Sequence, residues 1–185
     1  MRLVVGISGA SGAIYGIRAL EALKEAGVET HLVVTAAAKD TIRLETDWHV
    51  DDVEKLATRS YRVDDTAGAI ASGSFRTEGM LIIPCSMKTL GGVASGYDEN
   101  LLLRAADVTM KEKRPLVLVV RETPLSLIQI ENMARVVRSG ATLLPAMPAF
   151  YHRPKSIDDI VNHVVGKSLD SLNVKHSLYK RWESS

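Results

Sequence analysis

The sequence contains a single cysteine, Cys85. No disulfide can form within the chain, and no cysteine-based zinc site can be built. Neither sign of charge is in excess. The 23 Lys and Arg residues stand against 22 Asp and Glu, a net +1, so no global field draws the chain to nucleic acid or to an anionic membrane. Any anionic ligand must then be met by a few placed cations. No apolar run approaches the ~20 residues of a membrane span, and the amino terminus shows no signal-peptide pattern. The five histidines show no H-E-x-x-H spacing, and no metal site is expected. These absences read together as a soluble cytoplasmic protein of a reducing compartment.

What is present is an alternation of short apolar runs with amphipathic stretches. Leu3-Val4-Val5-Gly6-Ile7, His31-Leu32-Val33-Val34, Met80-Leu81-Ile82-Ile83 and residues 116–120 read as buried strands, with a last short strand at Thr142-Leu143-Leu144. Helical spacing is expected over residues 13–26, 36–46, 86–94 and 101–113, with Gly27 and Asn100 as caps. Thr123-Pro124 reads as the start of a helix to Ser139, and Pro84 as the stop of the third strand. Ser156-Ile157-Asp158-Asp159 has capping-box spacing and opens a final helix to about Leu172, before a tail from about residue 173. Residues 47–78 are polar and read only as a long excursion with short elements. The pattern predicts one α/β domain over residues 1–185, a doubly wound, mostly parallel sheet with helices on both faces, Rossmann-like or flavodoxin-like.

In such sheets ligands bind beyond the carboxyl ends of the strands, and the residues there carry donors. The first strand runs into Gly6-Ile7-Ser8-Gly9-Ala10-Ser11-Gly12-Ala13, with glycines three apart. Such a loop lets a phosphate or ring approach its backbone N–H groups, and Ser8 and Ser11 add hydroxyl donors. The spacing is not the G-x-G-x-x-G of dinucleotide proteins. The second strand ends in Val34-Thr35, without the carboxylate that holds a ribose, which leaves room for a mononucleotide. Ser86, Lys88 and Thr89 offer further donors at a helix start, and Cys85 reads as a small buried residue rather than a nucleophile. Arg121-Glu122 pairs a cation and a carboxylate at a strand end, suited to holding an anion and moving a proton. Glu45 sits at a helix end, where a carboxylate opposes the macrodipole. Tyr151-His152 follows the last strand.

Several segments together resemble the UbiX family of flavin prenyltransferases. They include Gly9-Ala10-Ser11-Gly12-Ala13 with Tyr15-Gly16, Glu45-Thr46-Asp47, Pro84-Cys85-Ser86-Met87-Lys88-Thr89, Arg104-Ala105-Ala106-Asp107-Val108, Arg121-Glu122-Thr123-Pro124 and Phe150-Tyr151-His152. The resemblance covers nearly the whole chain. It implies transfer of a dimethylallyl group from dimethylallyl phosphate to N5 and C6 of reduced FMN, without metal. It also implies a dodecamer with sites between subunits, and a UbiD-type decarboxylase that receives the prenylated FMN. Carried over by position, it implies Gly9, Ala10, Ser11, Thr35, Ser86, Met87, Lys88, Thr89, Arg104 and Arg121 against the flavin. Lys111, Arg121, Tyr151, Lys167 and Trp182 are implied for the prenyl phosphate, and Ser11, Glu45, Lys111 and Glu122 for catalysis. Lys167 stands where the family pattern has arginine, which keeps the charge and loses the bidentate fork. The paired aspartates never form the D-D-x-x-D of metal-dependent prenyl diphosphate enzymes.

Two other readings share these residues. A flavin-dependent decarboxylase of the peptidyl-cysteine type has the same fold, but its active-site histidine has no counterpart here, and His49 is a poor candidate. A non-catalytic FMN carrier for a decarboxylase would release its flavin unmodified.

Overall fold

The computed structural model describes residues 1–182. Six parallel strands, β1 (Arg2–Ile7), β2 (Glu29–Val34), β3 (Arg59–Tyr61), β4 (Gly79–Cys85), β5 (Leu116–Val120) and β6 (Thr142–Leu143), form one sheet in the order β3-β2-β1-β4-β5-β6. The helices are α1 (Ala13–Glu25), α2 (Ala36–Glu45), α3 (Val50–Glu54), α4 (Met87–Ser95), α5 (Leu101–Lys111), α6 (Leu127–Arg138) and α7 (Ile157–Asp170). This is the doubly wound order in which the chain reverses direction between β1 and β4.

The central strands are apolar without alternation because both faces are covered. Leu3, Val5 and Ile7 face a core completed by Ile17 and Leu20 of α1 and Val164 and Val165 of α7. Val4, Val33 and Ile82 face a second core with Leu101, Leu102 and Ala106 of α5 and Leu90 of α4. Full burial of each such aliphatic side chain contributes roughly 1.5–3 kcal/mol. No helix among the described residues is long and apolar enough to cross a membrane.

Several boundaries differ from the sequence reading. β4 continues through Pro84 to Cys85, with a register shift between Ile82 and Cys85 that absorbs the missing N–H. The helix expected from Thr123-Pro124 begins at Leu127, because Ser126 and Gln129 form a reciprocal capping box. α5 ends at Lys111, and Lys113 takes a left-handed φ of 57°. The excursion over residues 47–78 holds α3, β3 and a single 3-10 turn at Ala69–Ala71.

α1 sits close enough to the sheet that only glycine fits at its contact point. A Cβ on Gly16 would lie 2.5 Å from the Ile83 carbonyl oxygen and 2.8 Å from Ile7 Cδ1. Gly16→Ala therefore sets a helix-propensity gain of up to ~1 kcal/mol against overpacking of about 1–3 kcal/mol. The expected outcome is net destabilisation, read as a lower urea midpoint at unchanged m-value. A raised midpoint would show that α1 can move off the sheet without loss.

Candidate active site

At the reversal point, Ser8 ties the ends of β1 and β4 together. Its N–H donates to the Pro84 carbonyl at 3.1 Å and its hydroxyl donates to the same oxygen at 2.9 Å. The hydroxyl also accepts the Ser86 N–H at 2.8 Å. Ser8 is fully buried, so this hydroxyl, expected to meet a ligand, is instead part of the scaffold.

The loop that follows is clamped from three sides. A Cβ on Gly9 would lie 2.4 Å from Ala37 Cβ, so the loop packs directly on the start of α2. Glu45, at the far end of α2, accepts the Gly12 N–H at 2.7 Å and the Ala13 N–H at 3.2 Å. Arg121, just past β5, donates from Nε to the Ser11 carbonyl at 3.1 Å. Gly12 has φ 101° and lies against the Tyr15 ring, so a side chain there is excluded twice over. Burial alone would push the Glu45 carboxyl up. Hydrogen bonds from Gly12, the Ser11 hydroxyl and Ala13, with the Arg121 charge nearby, hold it below the ordinary carboxylate range. The N-terminus of α1, expected to be open to a phosphate, is thus already occupied by a carboxylate.

Beside this clamp lies a groove of about 710 Å³, within the ~300–1,000 Å³ typical of small-molecule sites. Its first wall is Gly9, Ala10 and Ser11, and its second is the start of α2 at Thr35, Ala36 and Ala37. Ser86, Met87, Lys88 and Thr89 form the third, and Arg121 and Glu122 close one end. Three helix N-termini converge here, each carrying a capping side chain. Thr35 caps α2 through Ala38 N, Ser86 caps α4 through Thr89 N, and Asn100 caps α5 through Leu103 N. The Thr35 hydroxyl oxygen accepts at 3.2 Å and keeps its hydrogen for another acceptor. The Ser86 hydroxyl donates to Thr89 Oγ1 at 3.1 Å, which leaves the Thr89 hydrogen to point elsewhere. One oxygen of Glu122 accepts the Thr123 N–H, and the carboxylate is otherwise exposed. Lys88 and Arg121 are matched in the lining by Asp64, Glu99 and Glu122. Attraction for an anion is therefore local, from helix ends and hydroxyls, rather than from a basic basin.

Cys85 lies just beneath the groove and is fully buried, and burial pushes its thiol up to about 12. It holds no thiolate at neutral pH and is no nucleophile.

Four of the candidate residues lie elsewhere in the chain and a fifth is engaged. Tyr151 and Trp182 meet edge to face at 5.3 Å, and Lys167 lies exposed on α7; none of the three lines the groove. Lys111 is exposed at the C-terminal end of α5, about 16 Å of helix beyond the groove residue Asn100. Arg104, one turn past Asn100, bonds Asp98 at 3.1 Å, Asp107 at 3.5 Å and the Ala71 carbonyl at 3.3 Å, and does not line the groove. Residues the sequence reading passed over do line it: Val63, Asp64, Glu99, Asn100 and Leu103. The strand-end rule would have found the first two, had the three residues of β3 been legible as a strand. Among the described residues, no group of three or more His, Cys, Asp or Glu could hold a metal ion.

Comparison with known proteins bears on this arrangement. The family described as Flavoprotein matches residues 1–169. The flavin prenyltransferase UbiX of Thauera aromatica is 56% identical over 182 residues, 98% of this chain and 94% of that protein. A UbiX crystal structure in complex with FMN and dimethylallyl pyrophosphate superposes with a TM-score of 0.98 at 46% identity, covering 100% of this chain and 98% of that one. A dodecameric, FMN-dependent UbiX-like decarboxylase from Escherichia coli O157:H7 gives a TM-score of 0.97 at 52% identity, over the full length of both chains.

The Glu45 clamp has a pH signature. Its folded value lies below the ordinary 4.5, so its stabilisation is present above the unfolded value and fades as pH falls through the folded one. Glu45→Gln is expected to cost about 1 kcal/mol at pH 7, with the gap from wild type closing in acid below about pH 4. Thermal melts across pH 3–8 check it. A gap that persists unchanged at pH 3 would mean that the charge of Glu45 is not what caps α1.

Proposed function

The chain belongs to the flavoprotein family and, within it, to the UbiX-type flavin prenyltransferases, and from that premise we propose that it transfers a dimethylallyl group from dimethylallyl phosphate to N5 and C6 of reduced FMN. The observation that carries this reading is the groove itself. It is a slot at the reversal point of a doubly wound sheet, walled by small residues and ending in three capped helix N-termini.

The residues present fit FMN. Gly9 packs on Ala37 with no room for a side chain, and both residues line the slot. The hydroxyls of Thr35 and Thr89 have hydrogens to give. The carboxylate on α1 turns an anionic end of the ligand away from that helix and toward α2, α4 and α5. Gly9, Ala10, Ser11, Ser86, Met87 and Lys88 would line the flavin, with Arg121 beside its phosphate and Arg104 behind Asn100. Reduced FMN, when bound, supplies a nucleophilic ring edge and a π face that shields positive charge.

What the chain's own residues do is orient the donor, stabilise the departing phosphate and hold protons. The carbon–oxygen bond of the donor breaks with its electron pair leaving on phosphate. A dianion is thereby released that cations must meet in the transition state. Arg121 is at hand in the groove. Tyr151 and Trp182 form a second cluster, Lys167 and Lys111 stand at further positions, and we assign these to sites shared with neighbouring copies of the chain. Lysine at 167 binds phosphate as a point charge without the guanidinium fork. The second bond requires the prenyl double bond to gain a proton, balanced by the one given up at N5, and the C6 proton to be removed. Glu122, exposed at the mouth, carries these protons, directly or through water or the departing phosphate. Glu45 and Ser11 hold the loop beneath.

An exposed apolar face supports assembly. Leu127, Ile128 and Ile130 of α6 are 69%, 71% and 48% exposed, and only Val136 of that helix is buried. Faces of this kind belong between subunits, and the proposed assembly is a homododecamer. The same reading makes it a single FMN-binding unit of the cytoplasm that passes its product to a UbiD-type decarboxylase.

Anaerobic incubation with reduced FMN and dimethylallyl phosphate, followed by mass spectrometry of the released flavin, tests this. The expected flavin is heavier by one isoprenyl unit. Lys111→Met is expected to lower turnover about a hundredfold or more, the loss of one charge stabiliser of a transition state, while FMN still binds. Unmodified FMN, with binding confirmed, would replace the proposal with a carrier. Loss of carbon dioxide from a peptidyl-cysteine would replace it with a decarboxylase.

A further inference from the structure

Asp170 is the last residue of α7, where a carboxylate opposes the helix dipole. Yet it gathers more partners than any surface acid needs. Arg181 donates to both of its oxygens, at 2.6 and 3.1 Å. Tyr179 donates its hydroxyl at 2.5 Å, and His176 Nε2 lies at 3.1 Å. Burial alone would push this carboxyl up, but the hydrogen bonds from Arg181, Tyr179 and His176 hold it at about 2. Three residues of the tail, spread over six positions, are thus gathered on one carboxylate.

The tail so held crosses α7 at Gly166. A Cβ there would lie 2.4 Å from the Tyr179 ring and 2.8 Å from His176, so the crossing point tolerates only glycine. Tyr179 then packs on His163 at 5.0 Å, His163 on Tyr151 at 5.9 Å, and Trp182 closes on Tyr151 at 5.3 Å. Lys167 is the residue after the crossing. Nothing else in the described tail anchors Trp182: the residue is 74% exposed and depends on the chain that leads to it.

We propose that Asp170 is a positioning residue, a latch whose grip on His176, Tyr179 and Arg181 holds Trp182 against Tyr151 and so shapes the half-site that receives the prenyl phosphate. The second part rests on the function proposed above; the first does not. The latch lies outside the groove, so it sets donor binding and leaves the flavin's own contacts alone.

The test uses the full chain in its native assembly and two readouts. Limited trypsin digestion, followed by mass spectrometry, measures cleavage after Lys175 and Lys180, two exposed tail sites that every variant below keeps. Steady-state kinetics separates KM for dimethylallyl phosphate from the Kd of FMN. Asp170→Asn is expected to speed tail cleavage and to raise KM about tenfold, a loss of 1.4 kcal/mol, at an unchanged Kd for FMN. Arg181→Met, on an exposed side chain that cannot disturb α7, should do the same to a smaller degree, and Arg181→Lys should recover part of it. Unchanged cleavage in both variants overturns the latch. Faster cleavage with unchanged KM overturns its link to the donor. A wild type that makes no prenylated flavin would sink the function proposed above, while the trypsin comparison still decides the latch.

Discussion

The hydroxyl of Ser8 is the point on which the site depends. Pro84 has no N–H to give, and the strand that contains it slips register there. Its carbonyl would be a buried acceptor in search of a donor, a group that costs about 1–3 kcal/mol if left unpaired. Ser8 satisfies it twice and takes the Ser86 N–H in return. The irregularity in β4 is thereby converted into a fixed distance between two loops. One carries Gly9 to Ser11, the other Ser86 to Thr89, and the groove is the space between them.

From that fixed pair the rest of the site follows by electrostatics. At the end of the first loop the Gly12 and Ala13 N–H groups are taken by Glu45 and the Ser11 carbonyl by Arg121, so a cation and an anion hold one short segment. With α1 filled, the three remaining helix ends define one negative-seeking rim, and a ligand with a charged end and a flat end can enter in one sense only. The near balance of charge in the whole chain and in the groove lining agrees with this. Selectivity comes from where a few dipoles point.

Much of this was legible in the residues. Continuous apolar runs with glycine and hydroxyl caps gave the sheet and most helices, because both faces of a parallel sheet are buried and because Thr35, Ser86, Asn100 and Ser156 are strong N-caps. Glu45 stood out as a carboxylate at the wrong helix end, although not what it would cap. Three things were hidden. β3 has three residues, too short for a period to register, and with it went Val63 and Asp64. Pro84 looked like a stop because a register shift leaves no local mark. Ser126 was overshadowed by Thr123-Pro124, since both are good helix starts and only the Gln129 side chain decides between them. No spacing could place Lys111, Lys167 or Tyr151, which lie outside the groove of their own chain.

Glu45 and Asp170 end α2 and α7 in the same unfavourable way, and each is compensated from outside its helix, Glu45 by the distant loop at Gly12 and Asp170 by the tail that follows it. The final turns of these two helices are therefore weaker as isolated segments than as parts of the fold. Their order leans on the loop at Gly12 and on the tail at residues 176–181. In the native state they are the places where amide exchange would report local opening well before the sheet lets go.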